Sequence, residues 1–128
     1  MLEIRRMINS FFSKPKQQAE ELFRYIVVFI TCPNKKVSEK IAEILLEKRL
    51  AACINILDNV TSYYWWKSEK ESSQEVLMIV KTRRELLKKL TANVIEAHPY
   101  DLPKIIAVPL VGGSISYLKW IDKETRRN

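Results

Sequence analysis

Residues 47–82 read EKRLAACINILDNVTSYYWWKSEKESSQEVLMIVKT, and the reading of this stretch decides the fold. Segments 50–57 and 76–81 are apolar runs of strand length rich in β-branched side chains, and 60–66 is a third extended segment carrying Tyr63, Tyr64, Trp65 and Trp66. Asp58-Asn59 is a turn signal between the first two extended segments, and the polar residues 67–73 separate the aromatic segment from the next strand. Ala52, Ile54 and Ile56 recur at period two, as do Val76, Met78 and Val80, so each strand turns one apolar face inward.

Working outward, residues 25–31 (YIVVFIT) are too continuously apolar for a half-exposed strand and read as a central one. Pro33 ends it. Asn34 is a suitable N-cap for a helix whose Val37, Ile41, Ile44, Leu45 and the stem of Lys48 form one stripe. After the 76–81 strand, Thr82-Arg83-Arg84-Glu85 has the spacing of a capping box, which predicts a second helix starting at Thr82. That helix carries Leu87, Leu90 and Val94 inward and stops at or before His98, ahead of Pro99. Residues 105–110 form a last strand in which Pro109 suits only an edge or an end. Gly112-Gly113 permits a sharp turn, and Ser114 caps a short helix bearing Tyr117, Leu118, Trp120 and Ile121.

The order is strand, helix, antiparallel strands, helix, strand, helix. It predicts the α+β, ferredoxin-like βαββαβ sandwich, an antiparallel sheet with helices on one face, plus a C-terminal helix. Two helices leave the other sheet face uncovered, so an assembly of several copies is expected to hide its apolar residues.

The chain divides near Phe23. In residues 1–24, Ile4, Met7, Ile8, Phe11 and Phe12 follow the rhythm of an amphipathic helix, and Pro15 opens a polar connector. Docking on the protein itself, contact with a membrane surface and organelle targeting all remain open for this segment. Residues 25–128 are expected to be one domain, since 128 residues at 47 % hydrophobic content suffice for a single core. The longest apolar run, 25–30, is far short of the ~20 residues of a membrane span, which predicts a soluble chain. Two cysteines without a secretory leader point to reduced thiols in the cytoplasm. The net charge of +7 is interleaved with acids on helix faces, and the chain's two glycines, 112 and 113, do not flank aromatic strands, so a nucleic-acid partner is not expected.

Four blocks carry a resemblance: Glu47 to Ile56 (EKRLAACINI), Thr61 to Trp66 (TSYYWW), Glu75 to Thr82 (EVLMIVKT) and His98 to Pro103 (HPYDLP). In order and spacing they resemble the signature blocks of the CutA divalent-ion tolerance family, with the likeness running over roughly residues 25–123. The resemblance implies a non-enzymatic protein of divalent metal cation tolerance, assembled as a homotrimer similar in architecture to the PII proteins, with weak binding of copper or another divalent cation. It leaves open a trimeric small-ligand sensor or scaffold acting through clefts between subunits. Two departures from the family pattern stand out. Ser68 replaces a turn glycine, which predicts a looser or longer hairpin, and Lys104 replaces a glutamate, which would repel a cation.

As metal donors, Cys32, Cys53 and His98 suit copper or zinc better than magnesium or calcium, with Asp101 as an oxygen donor beside the histidine. No Cys-x-x-Cys or His-x-x-x-His pair is present, so a site must be assembled by the fold or between copies. The structural alternatives are equally concrete. Cys53 and Cys32 suit strand packing, and His98 suits a helix C-terminus, where an imidazole meets free carbonyls. Tyr64, Trp65, Trp66, Glu75, Lys81 and Tyr100 are expected to line a cleft or interface between copies. Catalysis by Cys53 with His98 and Asp101 is disfavoured, because a cysteine within an apolar strand is poorly placed to ionise.

Overall fold

In a computed structural model, the described residues are 23–126 together with Arg6. Ile4, Met7, Ile8, Phe11 and Phe12 of the amphipathic pattern, and the connector from Pro15 to residue 22, lie outside them. Strand β1 (Tyr25–Cys32) is followed by helix α1 (Lys35–Glu47), the long strands β2 (Cys53–Trp66) and β3 (Glu69–Arg83), helix α2 (Leu87–Ala97), strand β4 (Ile105–Pro109) and helix α3 (Ile115–Glu124). The sheet order is β2-β3-β1-β4, and every neighbouring pair is antiparallel. β1 is therefore central, as its unbroken apolar run requires, and Pro109 ends the edge strand β4.

One sheet face carries the core. Ile26, Val28 and Ile30 of β1 and Met78 and Val80 of β3 meet Ile41 and Leu45 of α1 and Leu90 and Val94 of α2, all buried. Asn34 caps α1 by accepting from the Val37 amide at 2.9 Å. Ser114 caps α3, its hydroxyl accepting from the Tyr117 amide.

On the opposite face, α3 buries Ile121 and lies over one end of the sheet. Beyond it Phe29, Leu77 and Ile79 are half-buried, while Ile106 and Val108 remain 55 % and 41 % exposed.

Three local expectations are corrected. Asp58-Asn59 does not separate two strands: the β2–β3 register merely shifts between Leu57 and Val60, and Asn59 takes a left-handed φ of 62°. One residue in that region bends a strand as a bulge without ending its pairing. The hairpin is not loosened by Ser68. Lys67 and Ser68, at φ 48° and 67°, form a two-residue turn closing directly on the Trp66–Glu69 pair. This lengthens β3 back to Glu69, well before Val76. Finally, Thr82 does not open a capping box. It lies within β3, where its hydroxyl donates to the Leu50 carbonyl at 2.7 Å, while Glu85 pairs with Arg83. A single 3₁₀ turn, Arg84–Leu86, precedes α2. A buried carbonyl that needed a donor outcompeted the local cap.

Candidate functional site

The register of β1 against β3 pairs Cys32 with Val76, so the end of β1 lies beside Glu75. Pro99 holds the preceding residue out of helical geometry, and His98 accordingly leaves α2 with φ −89° and ψ 135°. This bend drops the imidazole onto β1. Thr31, Cys32, Glu75, Met78, His98 and Tyr100 thereby form a polar and sulfur-bearing knot on the edge of the core.

The hydrogen bonds of the knot define its chemistry. His98 Nε2 lies 2.7 Å from the Thr31 carbonyl oxygen. That oxygen only accepts, so Nε2 carries the hydrogen. The Tyr100 amide donates to His98 Nδ1 at 3.1 Å, and the two rings stack at 4.7 Å with a 55° tilt. The imidazole is thus the Nε2–H tautomer with both nitrogens engaged, and the residue is buried. It does not bond the free carbonyls of its own helix, which corrects the C-terminal role expected of it.

The Tyr100 hydroxyl donates to Glu75 Oε2 at 3.0 Å, and Glu75 is itself buried. Burial, and then that hydrogen bond, pushes the phenol up to about 12. Cys32 is fully buried with its thiol 3.6 Å from the Met78 thioether. Burial, and after it the charge of Glu75, pushes the thiol up to about 11. At neutral pH it is a protonated, packed side chain and neither a nucleophile nor a ready anionic ligand.

The expected donors do not converge in one chain. Asp101 is exposed in the loop after Tyr100, and Lys104 is exposed a few residues on. Cys53 pairs with Lys81 on β3, five positions from the Val76 that pairs with Cys32, or roughly 16 Å at the strand rise. It faces the other side of the sheet, where the Tyr117 hydroxyl of α3 is pushed up by burial and then by Cys53. Among the described residues no group of three or more His, Cys, Asp and Glu is placed to hold a metal ion. Among the described residues, Cys32, Cys53, His98 and Asp101 therefore do not come together as a cation site.

Of the expected cleft residues, Lys81 lies within the sheet between Val27 of β1 and Cys53 of β2, whereas Tyr64, Trp65 and Trp66 lie on the arm of the β2–β3 hairpin that extends past the end of β1. Tyr63 and Trp65 are 81 % and 71 % exposed, and Lys67 and Lys70 sit over the rings of Trp66 and Trp65 at 5.8 Å and 5.9 Å. The Tyr64 hydroxyl donates to Ser73 at 3.3 Å. Tyr64 pairs with Glu71, two positions from the Trp66–Glu69 pair that closes the turn.

Sequence reasoning missed Thr31 and Met78 as partners of His98 and Cys32, because nothing in an alternating strand marks which neighbour a side chain will meet. It also missed a second cluster around Asp122. Asp122 Oδ1 accepts from Arg24 at 2.9 Å and Oδ2 from the Tyr25 hydroxyl at 2.6 Å, while Arg83 donates to the Thr125 hydroxyl and carbonyl at 2.7 Å and 2.9 Å.

Sheet order, helix placement and the buried knot together define an α+β protein of ferredoxin-like architecture. The chain belongs to the CutA1 divalent ion tolerance protein family, whose pattern it matches over residues 26–124. It is 44 % identical over 101 residues to the chloroplastic CutA protein of Arabidopsis thaliana, an alignment covering 79 % of this chain and 56 % of that protein. With the divalent-cation tolerance protein CutA of Thermus thermophilus it shares 43 % over 99 residues, covering 77 % and 96 %. The crystal structure of CutA1 from Oryza sativa superposes with a TM-score of 0.79 at 40 % identity, over 84 % of this chain and 98 % of that one. The chain thus spans little more than half the length of the Arabidopsis relative. Its family is characterised by divalent ion tolerance and not by a reaction. Among the described residues no helix is long and apolar enough to cross a membrane.

Proposed function

We propose that this protein acts in divalent metal cation tolerance as a non-enzymatic homotrimer that binds copper or a related divalent cation weakly. The observation that carries the reading is the family match across nearly the whole described domain. The exposed Ile106 and Val108 support assembly, since a second copy would remove them from water. The protonated, buried Cys32 and the doubly bonded His98 favour a role without catalysis, because neither is free to attack or to shuttle a proton. Donors scattered over two faces and a loop favour a weak cation site built from exposed groups such as Asp101 and completed by a neighbouring copy. Two cysteines that lie on opposite sides of the sheet and form no disulfide favour the cytoplasm as its compartment.

The test is isothermal titration of the reduced protein with Cu(II) and Zn(II), and with Cu(I) anaerobically, its mass being followed by light scattering. Saturable uptake at a fixed ratio per trimer is expected. A trimer that takes up none of the three ions would remove direct cation binding from this reading, and a monomer would remove the assembly.

A further inference from the structure

We infer that His98 is a positioning residue and not a metal ligand, and that the His98-Pro99-Tyr100 tripeptide is one device joining the end of β1 to Glu75. Each residue of the tripeptide has a definite task. Pro99 forces the extended backbone that carries the imidazole from α2 to β1, and it has no amide hydrogen, so the next donor along the chain is the amide of Tyr100. His98 accepts that amide at Nδ1 and donates from Nε2 to Thr31, sixty-seven residues away, using the one side chain able to do both from a planar ring. Tyr100, held by its amide and by ring contact, delivers its hydroxyl to the buried Glu75 carboxylate.

A cation has no place on this ring. At Nε2 it would displace a hydrogen bond and leave the buried Thr31 carbonyl without its donor. At Nδ1 it would face the hydrogen of the Tyr100 amide, which carries the same sign of charge. This inference rests on the cation-tolerance reading above only in naming which donors it excludes; the tautomer and the contacts of the ring stand without it.

His98 is the only histidine of the chain, so its ring nitrogens give an unambiguous NMR signature. In ¹⁵N-labelled protein the expected spectrum is that of an Nε2–H imidazole, unchanged on adding Zn(II) to saturation. In titrations, His98→Gln is expected to bind Zn(II) within twofold of the unsubstituted protein. In ¹³C-labelled tyrosine spectra, His98→Ala is expected to shift the ring resonances of Tyr100, a signal that Tyr100→Phe identifies by removing it. An Nδ1–H tautomer, a stoichiometric shift of the ring nitrogens with Zn(II), or a tenfold or greater loss of affinity in a folded His98→Gln protein would each overturn the inference. An unsubstituted protein that binds no Zn(II) while keeping the Nε2–H signature would sink the cation contact alone and leave the positioning role supported. If His98→Gln does not fold, the Zn(II) spectrum of the unsubstituted protein decides the matter.

Discussion

The turn of the long hairpin shows how one residue's backbone angle carries a cost. Both central residues have positive φ, 48° at Lys67 and 67° at Ser68, a region that costs a residue with a Cβ roughly 1–2 kcal/mol. The hairpin tolerates this because its right-handed twist demands such a turn and the flanking pairs hold it closed. Replacing Ser68 by Gly removes the steric cost but adds chain entropy to the unfolded state, worth roughly 0.5–1 kcal/mol against it. Ser68→Gly is therefore expected to stabilise the protein by about 0.5–1 kcal/mol, read as a higher midpoint at unchanged slope in denaturant unfolding. A lower midpoint would show that the turn is not the strained two-residue form.

At the scale of elements, α3 is attached less by apolar burial than by the polar cluster at its C-terminal end. Ile121 is its one fully buried apolar residue, whereas Arg24, Tyr25 and Arg83 converge on Asp122 and Thr125, and Arg49 pairs with Glu124 at 3.0 Å. Arg83 and Arg49 also donate to the carbonyls of Thr125 and Glu124 at 2.9 Å and 3.2 Å, at the negative end of the helix dipole. Burial alone would raise the Asp122 carboxyl, but the hydrogen bonds from Tyr25 and Arg24 and the charges of Arg24 and Arg126 outweigh it and hold it below the usual carboxylate range. A depressed folded value means that the stabilisation is fully present above the unfolded value, about 3.9, and is lost as the pH falls through the folded one. Asp122→Asn is expected to cost about 1–3 kcal/mol at pH 7, since it weakens charge-assisted bonds at a mostly buried site. The difference between the two proteins should shrink below about pH 4. Unfolding free energies measured from pH 2 to pH 7 check this, and a constant difference across that range would contradict the role given to the carboxylate.

For the whole molecule, the decisive feature is that the two sheet faces are treated unequally. One is sealed by α1 and α2; the other is covered by α3 only at one end and leaves Ile106 and Val108 in water at the edge strand. On the trimer reading, a charge placed there meets the partner's apolar surface. Ile106→Asp is expected to shift the light-scattering mass from trimer toward monomer while the circular dichroism of the sheet and helices persists. An unchanged trimer mass would assign this face to solvent and send the search for the interface to the β2–β3 arm.

Much of this was legible in the amino-acid order alone. Strand and helix types follow from period-two and period-3.6 spacing, Asn34 and Ser114 act as caps where their positions announce it, and the order of elements leads to the ferredoxin-like sheet. Such signals are local: they depend on residues two to four apart and on the backbone preferences of Pro, Asn and Ser. Tertiary structure alone decided that Thr82 serves the Leu50 carbonyl instead of a helix cap, that Cys32 and Cys53 part company, and that His98 spends both nitrogens on Thr31 and Tyr100. Arg24 and Asp122, 98 residues apart, meet only because α3 folds back beside the start of β1. Buried polar groups must find partners wherever the packed chain supplies them, and a search over the whole fold leaves no trace in the spacing of neighbouring residues.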